Sequence, residues 1–321
     1  MLAKKALIFG ASGQDGSYLC RHLIGLEYEV HGTTRVHSDL VPNLERLGIR
    51  DQVKLHIVNS EDAEGVEGVF SHVEPDEAYM LSGLSSVRLS FERPTEALSS
   101  NTTALVNALE VIRTRELGTR LFFPSSSECF GTTASPADLD TPFQPCSPYG
   151  IAKAAGHFLI RLYRESYGLY ACSGILFNHE SPLRPVNFVT QKIISSAVKI
   201  ADGKMDKLTL GNLETIRDWG WAPEFVEGIH TILQQPQPRD FIIATGESYS
   251  LEDFVDLVFQ EVGLKWTDHV QSDPSLFRPT DIAKSEADTS ETAKQLGWEA
   301  TVKMPEIIKR LIVSEKTGRL D

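Results

Sequence analysis

Three groups of residues in this chain have the types and spacing to do chemistry. The first is the run Gly10-Ala-Ser-Gly13-Gln-Asp-Gly16, three glycines lying between an apolar stretch and an amphipathic one. In such a run the first glycine permits a tight turn and the second lets the backbone approach a pyrophosphate. The third lets a helix pack closely on a sheet, with its amino end facing the phosphate charge. Gly10, Gly13 and Gly16, with Gln14 and Asp15 among them, therefore read as a dinucleotide-binding loop. The second group is Tyr149 and Lys153, four apart at the start of an expected helix and so on one face. A free phenol has a pKa near ~10 and is a poor base at neutral pH. A nearby ammonium and a positive nicotinamide ring favour the phenolate and lower that value. The same spacing also suits a plain surface hydrogen bond, and the pair's own neighbours do not decide. The third group, Pro124-Ser-Ser-Ser-Glu128, favours the reactive reading. It ends an expected strand, at the edge of a sheet where ligands bind, and a hydroxyl there completes a proton-transfer set.

The elements that must position these groups follow from the hydrophobic pattern. Short apolar runs alternate with amphipathic stretches through the first half, as in a parallel sheet covered by helices. Strands are expected at 6–9, 28–32, 53–58, 77–81, 120–123 and 171–177. Helices are expected from Ser17, at 105–112 and at 149–167. Residues 179–186 carry two prolines and an arginine and read as a crossing into a smaller lobe. Helical spacing returns at 217–234, 251–262 and 305–314. The fold class is α/β, a doubly wound parallel sheet with a smaller C-terminal lobe. Arg35 follows the second strand, where a carboxylate would hold the ribose of NAD and an arginine pairs with the 2′-phosphate of NADP. NADP is the favoured cofactor, with NAD as the alternative.

Composition narrows the classes further. The chain has 321 residues, 41% of them hydrophobic and 23% charged, the profile of an ordinary globular protein. A formal net charge of -13 argues against nucleic acid or an anionic membrane as partner. The four cysteines, Cys20, Cys129, Cys146 and Cys172, are scattered without a CxxC pair, and read as reduced thiols with no metal site. No apolar run approaches the ~20 residues that span a bilayer. The start of the chain runs straight into a strand, so the expected location is cytoplasmic.

The spacing GxxGxxG points to the short-chain dehydrogenase branch of the dinucleotide-binding folds. Longer motifs carry the resemblance further. They include Ser90-Phe-Glu92, Ser125-Ser-Ser-Glu128, Ser147-Pro-Tyr149, Gly174-Ile-Leu-Phe-Asn-His-Glu-Ser-Pro182, Arg217-Asp-Trp-Gly220, Ala244-Thr-Gly246, Phe277-Arg-Pro-Thr280 and Leu296-Gly-Trp298. With these, in order over nearly the whole chain, the protein resembles the extended short-chain dehydrogenase/reductases, and among them the GDP-mannose 4,6-dehydratase family. The resemblance implies a lyase in which Tyr149 deprotonates the sugar 4-hydroxyl as hydride leaves carbon 4 for NADP, with Ser126 on the same oxygen. Glu128 would then take the carbon 5 proton and assist loss of the carbon 6 hydroxyl, before the hydride returns to carbon 6. It further implies that Asn59, Ser60 and Arg184 help hold the cofactor, with Tyr149 and Lys153. Ser85, Asn178, Val189, Lys192, Leu210, Arg217 and Arg278 would contact a GDP-sugar. The implied division is a dinucleotide-binding domain over 1–178 with segments near 215–246, and a nucleotide-sugar lobe from 179–214 and 247–321. A homodimer or homotetramer is implied too.

Departures from the family pattern cluster near the sugar and the cofactor. Leu84 and Ser86 replace polar family residues after the fourth strand, Pro185 replaces a glycine and Gln191 an arginine. Asn59 stands for an aspartate, and Val36 for the second arginine of the NADP loop. A GDP-4-keto-6-deoxy-sugar reductase or epimerase is the alternative activity, and a non-catalytic dinucleotide sensor a third reading.

Overall fold

Alternate residues of the first strand face two different apolar layers, and that division organises the molecule. A computed structural model describes residues 3–35 and 41–320. The first half runs β1 (Lys5–Phe9), α1 (Gln14–Gly25), β2 (Glu29–Thr34), α2 (Pro42–Arg46), β3 (Lys54–Ile57), α3 (Ala63–Val73), β4 (Glu77–Met80), α4 (Val87–Glu92), α5 (Pro94–Thr114), β5 (Arg120–Ser126), α6 (Pro148–Tyr167) and β6 (Ala171–Leu176). The second half runs β7 (Asn178–Glu180), α7 (Val189–Ala201), β8 (Leu208–Leu210), β9 (Ile216–Trp221), α8 (Ala222–Leu233), β10 (Phe241–Ile243), β11 (Ser248–Ser250), α9 (Leu251–Glu261), β12 (Val270–Ser272), β13 (Lys284–Ser285), α10 (Ser290–Leu296) and α11 (Met304–Thr317).

Seven strands pair in the order β10-β6-β5-β4-β1-β2-β3, every pair parallel. Because side chains alternate along a strand, Leu7 and Phe9 pack with Val66, Phe70 and Leu105 on one face. Ala6 and Ile8 pack with Leu19, Leu23, Phe225 and Ile229 on the other. Both faces are thus covered, as a parallel sheet requires. The chain leaves β1 toward β2 on one side and reaches β4 on the other, so the strand order reverses at β1. Ligands bind in such folds at the carboxyl ends of the strands beside this reversal. A further apolar cluster joins Ile193, Ile194 and Ala197 of α7, Phe254 and Val258 of α9, and Ile307 and Leu311 of α11 to Trp219 and Trp221. There β9 pairs with β7, β11 and β13. Contacts of α10 fall on β10, so residues beyond 246 also cover the large sheet.

The expected α/β sheet is present, with differences of extent. Helix α1 begins at Gln14, three residues before Ser17, and α5 is 21 residues long. Residues 217–221 belong to β9 instead of a helix, and α8 starts at Ala222. The reason is tertiary: Trp219 and Trp221 alternate with Asp218 and Gly220, and β9 has strand partners on both edges. Helices α2, α3, α4, α7 and α10 are not among the expected ones.

The helix that carries Tyr149 and Lys153 is closed at both ends. The Ser147 hydroxyl accepts from the Gly150 amide at 3.0 Å, Pro148 fills the first turn, and Gly168 ends the helix at φ 69°. Midway, α6 lies so close to β5 that a Cβ on Gly156 would stand 2.3 Å from the Phe123 ring. Gly156→Ala should therefore cost about 1–3 kcal/mol by overpacking. A melting temperature equal to that of the wild type would contradict this packing.

Candidate active site

The glycine loop is built by close backbone contacts. Gly10 has φ +83°, and a Cβ there would meet the Leu81 carbonyl oxygen at 2.8 Å. The Gly13 amide donates to the Gly10 carbonyl at 3.0 Å. A Cβ on Gly16 would lie 2.2 Å from that same carbonyl oxygen. The turn is thus closed, and α1 starts directly after it, with Gly13 as N-cap and no side chain among the described residues capping its first N–H groups. These features fit a dinucleotide pyrophosphate.

Two residues to which the sequence reading assigned no role hold this loop. His179 Nε2 lies 3.0 Å from Asp15 Oδ1, and the His179 ring stacks on Phe225 at 4.7 Å. The Ser181 hydroxyl donates to Gln14 Oε1 at 2.8 Å, while Gln14 Nε2 donates to the His179 carbonyl at 3.3 Å. Burial works to raise the Asp15 carboxyl, but the His179 charge and hydrogen bond, aided by Gln14 and Arg184, hold it at about 2. Burial works to lower the His179 imidazole, and Asp15 outweighs it, so the imidazole is raised above its ordinary value. The signal lay in the run Asn178-His-Glu-Ser181, whose role becomes visible only where it crosses to α1.

At the end of β5, the Ser126 hydroxyl accepts from the Glu128 amide at 3.3 Å. Burial raises the Glu128 carboxyl, against the pull of Arg278 and Arg217, and Asp281 adds to the rise. Burial also raises the Tyr149 phenol, opposed by a hydrogen bond with Ser126. Lys153 is pushed down to about 8 by burial, opposed by Cys129 and Asp15. Its ammonium stands 4.9 Å from the Phe123 ring centroid and 5.7 Å from that of Tyr149. Among the protein's own side chains, burial sets the direction of the Tyr149 shift. The ammonium lies over the ring face, and desolvation is the larger effect.

These groups open on a cleft of about 500 Å³. Its walls bring together Gly13, Gln14, Asp15 and Gly16 with Ser126, Glu128, Tyr149, Lys153 and Arg184. Ser85, Asn178, Val189, Lys192, Leu210, Arg217 and Arg278 line the same space. Lys192 Nζ donates to the Thr209 carbonyl at 2.7 Å, and the Arg184 guanidinium lies 4.0 Å over the Phe188 ring. Four of the expected residues stand off the walls. Gly10 forms the turn beneath the loop, and Arg35 is exposed just beyond β2. Asn59 is exposed after β3, its side-chain oxygen accepting from the Glu61 amide at 3.3 Å. Ser60 is buried, with its hydroxyl 3.3 Å from that of Ser82. Val36 lies outside the described residues.

Two of the departures, Leu84 and Ser86, are accommodated locally, whereas the buried Gln191 side-chain oxygen has no hydrogen-bond partner among the described residues. The Ser86 hydroxyl caps α4 by accepting from the Leu89 amide at 3.3 Å. The backbone of Leu84 is tied to Ser100 and Asn101, at 3.1 and 3.2 Å. Another residue missed by the sequence reading is Asp281, whose Oδ1 accepts from Arg217 at 3.0 Å and from Arg278 at 3.3 Å. Asp218 of the Arg-Asp-Trp-Gly run receives the Thr245 and Gly246 amides, at 3.0 and 2.8 Å. Burial raises its carboxyl to about 6. That run therefore ties β9 to the loop after β10. Among the described residues, no group of histidine, cysteine or acidic side chains is placed to hold a metal, and no helix is long and apolar enough to cross a membrane.

A reversed strand order, a glycine turn beneath α1, and a serine, tyrosine and lysine facing one cleft define an extended short-chain dehydrogenase/reductase. Solved structures share the fold. A UDP-glucose 4-epimerase from Thermotoga maritima superposes with a TM-score of 0.86 at 23% identity, over 98% of this chain and 99% of the other. A dTDP-glucose 4,6-dehydratase from Streptomyces venezuelae, with NAD bound, gives 0.86 at 19% identity, over 98% and 97%. More specifically, the chain belongs to the GDP-mannose 4,6-dehydratase family, whose model matches residues 7–311. GDP-mannose 4,6 dehydratase 1 of Arabidopsis thaliana is 40% identical, over 96% of this chain and 89% of the relative. GDP-mannose 4,6-dehydratase of Vibrio cholerae is 36% identical, over 98% and 94%.

The Asp15–His179 pair has a measurable pH signature. A raised histidine contributes stability that is complete below its ordinary value of 6.5 and is lost as pH rises through its folded value. The Asp15 share is present above 3.8 and is lost only as pH falls through about 2. His179→Gln should therefore lower the melting temperature more at about pH 6 than at about pH 9. An equal loss at both would show that the pair is not ionic.

Proposed function

We propose that this protein is a GDP-mannose 4,6-dehydratase, converting GDP-mannose to GDP-4-keto-6-deoxy-mannose with NADP retained through the cycle. The observation that carries the reading is the half-buried Glu128 on the same cleft as Tyr149, Lys153 and Ser126. A dinucleotide seated on the glycine loop supplies reversible acceptance of a hydride. The remaining chemistry belongs to the protein. Tyr149 takes the proton of the sugar 4-hydroxyl, with Ser126 on the same oxygen, and Lys153 offsets the charge that the phenol gains. A keto group at carbon 4 makes the carbon 5 proton acidic. Glu128 takes that proton and delivers one to the departing carbon 6 hydroxyl, which leaves as water. A raised carboxyl suits this double duty, since a group that must both accept and donate works best with a value near the ambient pH.

Supporting groups are assigned in the same way. Gly10, Gly13, Gln14, Asp15 and Gly16 cradle the dinucleotide, with Asn59, Ser60 and Arg184 beside it. Arg217, Arg278 and Lys192 hold the diphosphate, where guanidinium groups pair with phosphate oxygens. Ser85, Asn178, Val189 and Leu210 contact the rest of the sugar nucleotide.

With GDP-mannose and NADP+, the enzyme should release a product lighter by one water, without net NADPH. No turnover of any GDP-hexose would defeat the reading, and stoichiometric NADPH consumption on a keto-sugar would favour the reductase. Glu128→Gln should lower kcat by about 10²–10⁴-fold, the usual share of a general acid/base, while leaving dinucleotide binding intact. A variant with wild-type kcat would remove Glu128 from the mechanism. The exposed Arg35 supports NADP over NAD. Arg35→Ala should weaken NADP+ about tenfold or more in calorimetry, the scale of one charge-assisted phosphate contact, and leave NAD+ unchanged. Equal losses for both would argue against a 2′-phosphate contact.

A further inference from the structure

Two arginines on the cleft wall share a single acceptor. Asp281 Oδ1 receives Arg217 Nη2 at 3.0 Å, Arg278 Nη1 at 3.3 Å and the Ile282 amide at 3.0 Å. Arg217 is nearly buried, and its other anchor is the Ile216 carbonyl at 2.8 Å. Arg217 comes from β9, whereas Arg278 comes from the segment that precedes β13. Two guanidinium groups drawn together in a partly desolvated wall repel each other unless an anion stands between them. Asp281 is that anion, and it also joins the two stretches of chain.

We infer that Asp281 is a positioning residue that binds Arg217 and Arg278 into one clamp for the substrate diphosphate and balances their charge against Glu128. This rests on the diphosphate and base roles proposed above. The electrostatics run in a definite direction. Arg278 and Arg217 favour the ionised Glu128, while Asp281 opposes it. The other titratable groups coupled to Glu128 are Tyr149, Cys129 and Cys146, all held neutral by burial. The balance of charge at Glu128 is therefore set by the two arginines and Asp281. Removing the aspartate charge leaves both cations unopposed and makes Glu128 a weaker base that stays ionised to lower pH.

Two substitutions separate the ordering from the charge. Asp281→Ala removes the shared acceptor, so GDP, used as the probe in calorimetry, should bind about tenfold more weakly, the scale of a lost hydrogen bond to a charged group. Asp281→Asn keeps an acceptor of the same shape without the charge. The acid limb of its kcat profile on GDP-mannose should move to lower pH, and Asp281→Glu should move it back. A purely structural role would not shift that limb. An Asp281→Ala protein binding GDP within about twofold of the wild type, or an unmoved limb in Asp281→Asn, overturns the assignment. If Asp281→Ala fails to fold, the limb of Asp281→Asn decides. A wild type that binds GDP yet turns over no GDP-hexose fails the proposed function instead, and the calorimetric comparison still judges the clamp.

Discussion

The backbone reverses at Gly10 in a space that admits no side chain, between the carbonyl of Leu81 and the first turn of α1. Much of the site follows from that contact. It sets the amino end of α1 beside the ends of β1 and β4, where the strand order reverses. The same turn carries Gln14 and Asp15 to where Ser181 and His179 can reach them. The glycine loop is thereby fixed from beneath by glycine contacts and from the side by the segment that follows β6. A fixed loop loses less freedom when a ligand binds, which is the physical benefit of pre-organisation.

Desolvation dominates the reactive groups. It raises Glu128 and Tyr149 and lowers Lys153, so each is displaced toward its neutral form. Opposing charges then moderate the shift: the two arginines at Glu128, and Asp15 at Lys153. For Glu128 and Lys153 the displacement is toward the ambient range, whereas for Tyr149 it favours the neutral phenol. The burial comes from ordinary packing, in which Ser147 and Pro148 start α6 against the end of β5, and Gly156 lets the two elements approach.

The second half of the chain contributes position more than chemistry. Its apolar cluster joins α7, α9 and α11 to the tryptophans of β9, and β9 in turn carries Arg217 and Asp218. Asp218 fastens β9 to the loop after β10 of the large sheet. Arg217 therefore meets the cleft from a strand anchored to both sheets, and Asp281 links it to Arg278.

Much of this was legible in the amino-acid sequence. Spacing and residue type marked Gly10, Gly13 and Gly16 because a tight turn under a helix tolerates little else. Alternating apolar runs marked the parallel sheet because both of its faces must be buried. Tyr149, Lys153 and the serine-rich strand end were readable because helical period and sheet edge are local properties. What only the tertiary structure decided were the meetings of distant segments. Residues 217–221 became a strand because β7, β11 and β13 offered partners, which no local period records. Asp15 met His179, and Asp281 met two arginines, through crossings between elements far apart in the chain. The direction in which Tyr149 shifts was decided likewise, since burial is a sum over many neighbours, whereas the four-residue spacing to Lys153 reports only one of them.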